Sequence, residues 1–475
     1  MLAVGLLSTG LRLALLIRRP LWFDETFTVW AARGPLARLL EILREDSGPP
    51  LFYVLAKPFV ALAESLGDDR IVRLPSFAAA TLLLVLGIVS LPAGRPRLYG
   101  ALLFGSAALL NLYAAEARAY ALLSLLVFPL FLLALGRDKQ ETPRRTAAIA
   151  LLAAAALWTH YLAILAVGGL LLLAVFRRRW RSALGLTAGT LSFLPWVAVL
   201  LRQPEGSLAW MHETPAGALG AFLSTLGGVG RIPAPFGYAP PALTWAAAGV
   251  GSILAALLVV RARRDGGIRD ALAFVGIVLA GALAISLWRN FAFAGRTEMV
   301  VLPVWLWAIA RSAGERPGVR MAAMATAGLG LAATVSVLVA PARDMSVLLP
   351  AQLQAQVRPG DRVFTGPPFY LAARLAHDRG LLAAEPRGIP ADIERHPGWA
   401  RPHPFSEKDL EPLALAAAQA RPGERFFLLF GEPYRTPAMD RLLASGGDPR
   451  GLARTSTGGV LMLWTPRAPP PPAPR

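Results

Sequence analysis

Apolar runs long enough to cross a hydrocarbon core of about 30 Å recur from the start of the chain to about Pro341. They fall at residues 1–17, 74–92, 98–113, 119–136, 146–158, 161–176, 183–201, 241–260, 271–288, 297–311 and 321–341. The pattern predicts an all-α polytopic membrane bundle of about eleven transmembrane helices. Arg12 interrupts the first run, so either it snorkels to the interface or the natural start lies upstream. Residues 146–176 are too many for one upright helix and too few for two full spans, so two short or tilted helices should meet at Thr159-His160-Tyr161.

Between the first two runs, Leu36, Leu39, Leu40 and Leu43 follow the i, i+3, i+4, i+7 spacing. Arg38, Glu41, Arg44 and Glu45 lie off that stripe, which predicts an amphipathic helix lying flat at the membrane surface. The run Pro50–Leu66 is apolar but holds Lys57, Pro58 and Glu64. It is expected to be a second juxtamembrane helix rather than a span. Residues 202–240 are expected to be an external connection.

Beyond Pro341 the apolar runs shorten. Residues 361–364, 425–430 and 459–464 have the length and apolar content of strands, and 368–378 and 407–420 have helical character. A small C-terminal α/β domain with an open sheet is expected over 342–466, after a transmembrane domain over 1–341. The Pro-rich tail 467–475 is expected to be disordered.

Composition agrees, with 55% hydrophobic and only 16% charged residues among 475. The formal charge of +18 does not point to nucleic acid, because no base-reading motif accompanies it. Its arginines cluster between apolar runs, as at Arg144 and Arg145, Arg177–Arg181, Arg261–Arg264, and Arg311, Arg316 and Arg320. With the amino terminus inside, all these clusters fall on the cytoplasmic side, which is the positive-inside pattern. The C-terminal domain then falls on the extracytoplasmic side. Without cysteine there is no disulfide, no thiolate chemistry and no cysteine metal site.

The same parity gathers Asp24, Glu25, Asp46, Glu116, Arg118, His160, Tyr161, Arg289 and Arg296 on the external face. Each has a plainer explanation. Asp24 and Glu25 suit an exposed helix start, Glu116 and Arg118 could form one ion pair, and His160 could be a satisfied turn residue. Their convergence suits an anionic, lipid-borne substrate.

These residues also carry a family resemblance. Trp22-Phe23-Asp24-Glu25, then Asp46 ahead of Pro49-Pro50-Leu51-Phe52-Tyr53, then Arg73-Leu74-Pro75-Ser76, then Glu116-Ala117-Arg118-Ala119-Tyr120, then Thr159-His160-Tyr161 follow in that order. The order resembles the bacterial branch of the GT-C membrane glycosyltransferases. That group includes enzymes like the dolichyl-phosphate-mannose–protein mannosyltransferases and the lipid A aminoarabinose transferase. Pro195-Trp196 ahead of Leu201-Arg202-Gln203, and Arg296 ahead of Pro303, also resemble it, so the likeness covers residues 20–310. One departure is Gly48, where the group often has His before the Pro-Pro pair.

The resemblance implies inverting transfer of a sugar from a polyprenyl-phosphate donor to a hydroxyl acceptor at the outer face of the plasma membrane. It places Asp24 at the base position, with Glu25 in a supporting role. Arg118, Arg296, His160 and Tyr161 are implied at the donor phosphate, and Asp46, Glu116 and Tyr120 in substrate positioning. The resemblance implies no obligatory cofactor and leaves a divalent cation possible. Some relatives use a divalent cation, for which Asp24, Glu25, Asp46 and His160 are the available ligands here. A transporter or flippase of a lipid-linked or anionic substrate is the alternative, but internal repeats and mid-span ionisable clusters are not evident.

Overall fold

The computed structural model describes residues 1–46, 48–136, 142–203, 214–232, 239–287, 294–340, 345–397, 406–421, 423–432, 435–455 and 458–466. Arg289 and the tail 467–475 lie outside them. The chain divides into two compact units, Met1–Arg19 with Ala32–Pro341, and Pro20–Ala31 with Ala342–Arg475.

The first unit is helical. Among the described residues, four helices are long and apolar enough to cross a membrane: Asp69–Val89, Pro241–Ala262, Gly266–Ser286 and Pro317–Val339. Trp180–Leu191 and Leu194–Leu200 make a fifth if their 49° bend lies within one span. The chain is a multi-pass membrane protein. The other apolar runs form shorter or broken helices, such as Tyr120–Leu135 and Ala163–Phe176.

Close backbone approach explains one break. The run 98–113 divides at Ala107 into helices Arg95–Ser106 and Ala108–Ala114. There the Ala108 N–H donates to the Gly228 carbonyl at 3.1 Å. Gly330, on Pro317–Val339, crosses at this point; a Cβ on it would sit 2.6 Å from the Ser106 oxygen and 2.8 Å from that of Gly228. Only hydrogen fits.

The stretch 146–176 forms helices Pro143–Thr159 and Ala163–Phe176, interrupted at His160, whose backbone is extended. Helix Trp180–Leu191 lies against the first of them through Gly185 and Gly189; a Cβ on Gly189 would stand 2.6 Å from that of Ala153. Small residues let the two backbones meet. Both helices expected between the first two apolar runs form, over Leu36–Glu45 and Leu51–Leu66.

Two expectations need correction. Arg12 does not snorkel. It is 1% exposed, and its guanidinium donates to Asn111 Oδ1 at 2.9 Å, the Ala80 carbonyl at 2.8 Å and the Phe104 carbonyl at 3.0 Å. Three acceptors inside the bundle replace the water it would otherwise seek. The connection 202–240 also contains an apolar helix, Pro215–Leu226, with Ala218, Ala221, Phe222, Ser224, Thr225 and Leu226 buried.

The arginine clusters lie at helix ends. Arg145 Nε donates to the Leu133 carbonyl at 2.9 Å and Arg179 Nη1 to that of Ala134 at 3.4 Å, covering the last turn of Tyr120–Leu135. Arg177 pairs with Asp270 at 2.6 Å, and Arg311 with Asp265 at 3.0 Å.

The second unit contains a five-stranded sheet: β1 (Arg362–Thr365), β2 (Pro386–Gly388), β3 (Phe426–Gly431), β4 (Gly447–Arg454) and β5 (Gly459–Pro466). Their order is β2-β1-β3-β5-β4. β1 runs parallel to β2 and β3, whereas β5 is antiparallel to β3 and β4. All of β3 is buried because both faces are covered. Phe426, Leu428 and Phe430 pack with Leu413, Met439 and Trp464, while Phe427 and Leu429 pack with Leu349, Leu353 and Phe369.

Candidate functional site

In the first unit the Glu116–Arg118 turn joins helix Ala108–Ala114 to helix Tyr120–Leu135. The turn is tight, with the Arg118 N–H donating to the Glu116 carbonyl at 2.8 Å. Ser76, from the Arg73-Leu74-Pro75-Ser76 motif, fixes it by donating to the Arg118 carbonyl at 3.0 Å. Glu116 is fully buried, while Arg118 is only partly so. Arg118 Nη1 donates to Tyr53 Oη at 3.4 Å.

Tyr120 begins the next helix and joins the cluster together. Its ring centre is 5.0 Å from that of His160 and 4.7 Å from that of Tyr113. The Arg296 guanidinium lies over its face at 5.5 Å. Arg118, Arg296, His160, Tyr120 and Glu116 therefore converge, since Arg118 and Arg296 act on His160, and Arg296 and Glu116 on Tyr113.

His160 is neutral here. The Leu162 N–H donates to its Nδ1 at 3.1 Å, so Nδ1 is bare and Nε2 carries the proton. Its surroundings hold it away from water, and the charges of Arg118 and Arg296 oppose a third positive charge. Together they push its pKa down to about 3. The imidazole can donate one hydrogen bond but not act as a cation.

Tyr161 faces another way. Its hydroxyl accepts from Trp196 Nε1 at 3.0 Å and donates to Gln203 Oε1 at 2.9 Å. Gln203 Nε2 in turn donates to the Leu43 carbonyl at 2.8 Å. The chain ties the Pro195-Trp196 and Leu201-Arg202-Gln203 motifs to the end of the amphipathic helix. Burial pushes the Tyr161 hydroxyl up to about 12, with the two hydrogen bonds opposing and the Asp46 carboxylate adding to the shift. Asp46, 6% exposed, follows that same helix, close enough for its charge to act on Tyr161.

Asp24 and Glu25 belong to the second unit, on helix Phe23–Ala32, and are 3% and 1% exposed. Glu25 Oε2 accepts from the Trp22 N–H at 3.4 Å, part of a helix-start function. Phe27 and Trp30 of this helix pack on the ring of His396, at 6.3 and 5.9 Å.

Two residues were missed in the sequence. Tyr53 meets Arg118 and also fills the space beside Gly48: a Cβ there would lie 3.4 Å from the Tyr53 ring. Its place in a motif was the available signal. Glu298, 1% exposed, follows Arg296 closely, but nothing in the pattern distinguishes it from an interfacial acid. Among the described residues, no group of three or more His, Asp or Glu side chains could hold a metal ion.

No protein-family profile and no curated protein sequence matches the chain. Solved structures do. ArnT from Cupriavidus metallidurans in the apo state aligns with a TM-score of 0.59 at 14% identity, over 97% of this chain and 96% of its own. ArnT bound to undecaprenyl phosphate aligns with a TM-score of 0.57 at 14% identity, over 97% of each chain. The chain therefore shares the overall fold of ArnT.

Proposed function

We propose that the protein is an inverting glycosyltransferase. It moves a sugar from a polyprenyl phosphate to a hydroxyl acceptor, a lipid, an envelope glycan or a protein, at the outer face of the plasma membrane. The observation that carries this reading is the convergence of Arg118, Arg296 and a neutral, hydrogen-bond-donating His160 around Tyr120. Its fold is also that of a protein whose structure was solved with undecaprenyl phosphate bound.

The chemistry follows from charge. As the bond between the anomeric carbon and the phosphate oxygen breaks, the leaving phosphate gains negative charge. Arg296 and Arg118 stabilise that charge, since a guanidinium presents paired donors to phosphate oxygens. His160 Nε2–H adds a neutral donor. Tyr120 holds the Arg296 guanidinium on its ring face, and Glu116, buried at the turn before it, takes a substrate-positioning role. The acceptor hydroxyl loses its proton to a base as it attacks. Asp24 takes that role from its place in the Trp22-Phe23-Asp24-Glu25 motif, with Glu25 ordering the start of the same helix. Tyr161 acts at one remove, through the chain that holds the end of helix Leu36–Glu45, and Asp46, which follows that helix, takes a substrate-positioning role.

The test is transfer of radiolabelled sugar from a panel of polyprenyl-phosphate sugars to cell-envelope acceptors by the purified protein. Transfer from one donor establishes the class and identifies sugar and acceptor. Folded protein that transfers nothing but moves lipid-linked sugar across proteoliposomes would replace this proposal with a flippase.

A further inference from the structure

We propose that Glu298 is the positioning residue for Arg296, a role that rests on Arg296 binding the donor phosphate. Arg296 emerges from an irregular segment, and the hydrogen bonds around it fix the two peptide planes immediately before its Cα. The Gly295 N–H, in the first plane, donates to Glu298 Oε2 at 2.8 Å. The Gly295 carbonyl, in the second, accepts from Tyr113 Oη at 2.7 Å.

Gly295 has φ +86°, and a Cβ there would lie 2.1 Å from the Arg231 carbonyl oxygen. The approach path of the backbone thus has no slack. The other carboxylate oxygen, Oε1, meets Thr225 Oγ1 at 3.2 Å, which ties the segment to helix Pro215–Leu226. The Thr225 proton is shared with the Ala221 carbonyl at 2.9 Å. Past Glu298, Ser124 Oγ donates to the Met299 carbonyl at 2.7 Å and fixes the far side.

Glu298 thereby connects a helix outside the cluster to the peptide that aims Arg296 over Tyr120. A buried carboxylate with two fitted partners is a rigid support, and a guanidinium displaced by about 1 Å loses much of its effect on a phosphate.

The experiment is equilibrium binding of undecaprenyl phosphate in detergent by wild type, E298M, E298Q, R296A and the double variant E298M/R296A. Monodispersity and thermal unfolding are followed in parallel. E298M keeps the volume and removes both bonds, and it should weaken binding roughly 10-fold. E298Q can accept from Gly295 and donate to Thr225 Oγ1, so it should restore most of that loss. The double variant should bind no worse than R296A, because Glu298 acts only through Arg296.

Losses that multiply in the double variant, or an E298M that unfolds at lower temperature yet binds normally, would leave Glu298 a structural residue and overturn the proposal. Wild-type protein that binds no better than R296A would remove the phosphate role of Arg296, and this inference with it.

Discussion

Arg296 lies over the face of Tyr120, its guanidinium carbon 5.5 Å from the ring centre, while the same ring meets His160 at 5.0 Å. One aromatic side chain thus sets the distance between a cation and a neutral donor. Tyr120→Phe keeps the ring and should bind polyprenyl phosphate nearly as wild type does. Tyr120→Leu removes the π face and should weaken binding roughly 2- to 30-fold. Equal affinity for the two variants would show that the ring does not hold Arg296.

Asp24→Asn preserves size and most hydrogen bonding but cannot accept the acceptor proton. Turnover should fall by about 10²- to 10⁴-fold while binding of the lipid phosphate stays within a factor of about two. Near-normal turnover would remove Asp24 as the base without touching the fold.

His160 makes folding pH-dependent. In the unfolded chain it binds a proton below 6.5, and in the folded protein only near 3. Between those limits the unfolded state holds more protons, so stability should rise with pH through this window and level off above 6.5. His160→Asn should flatten the rise in thermal unfolding profiles recorded in detergent. An unchanged slope in the variant would assign the dependence to other groups.

Tyr161→Phe breaks the link from Trp196 to Gln203 and frees the Leu43 end of the amphipathic helix. It should cost about 1 to 3 kcal/mol of stability, because a buried indole N–H loses its acceptor. Donor affinity should change little. A large loss of lipid-phosphate binding at unchanged stability would return Tyr161 to the phosphate site.

How far these features were legible depended on the range of the interactions that make them. The leucine stripe of residues 36–43 is local periodicity and folded as the spacing predicts. The break at His160 followed from the length of the apolar stretch together with the arginine clusters at its two ends, which one helix would put on opposite sides. β4 escaped notice because Gly447–Arg454 is a polar edge strand with Pro449 and an irregularity between Gly451 and Ala453, the features that keep an edge from pairing further. Helix Pro215–Leu226 was hidden in a stretch flanked by Pro, Gly and polar residues. In the site, Arg118, Tyr120, His160 and Arg296 could be gathered from motif order and parity. Glu298 could not, because what distinguishes it is a bond to Thr225, 73 residues away. Tyr161 sits beside His160 in sequence, yet its hydroxyl serves a different network.

The three acceptors of Arg12 bear on how the chain is made. Ala80, Phe104 and Asn111 are translated 68, 92 and 99 residues after Arg12. When the first helix leaves the ribosome, its guanidinium has none of them. An unpartnered arginine at mid-helix is costly in hydrocarbon. The first helix therefore takes its final seat only after the three helices carrying Ala80, Phe104 and Asn111 have been synthesised, so the order in which the chain is made is not the order in which its bundle is locked.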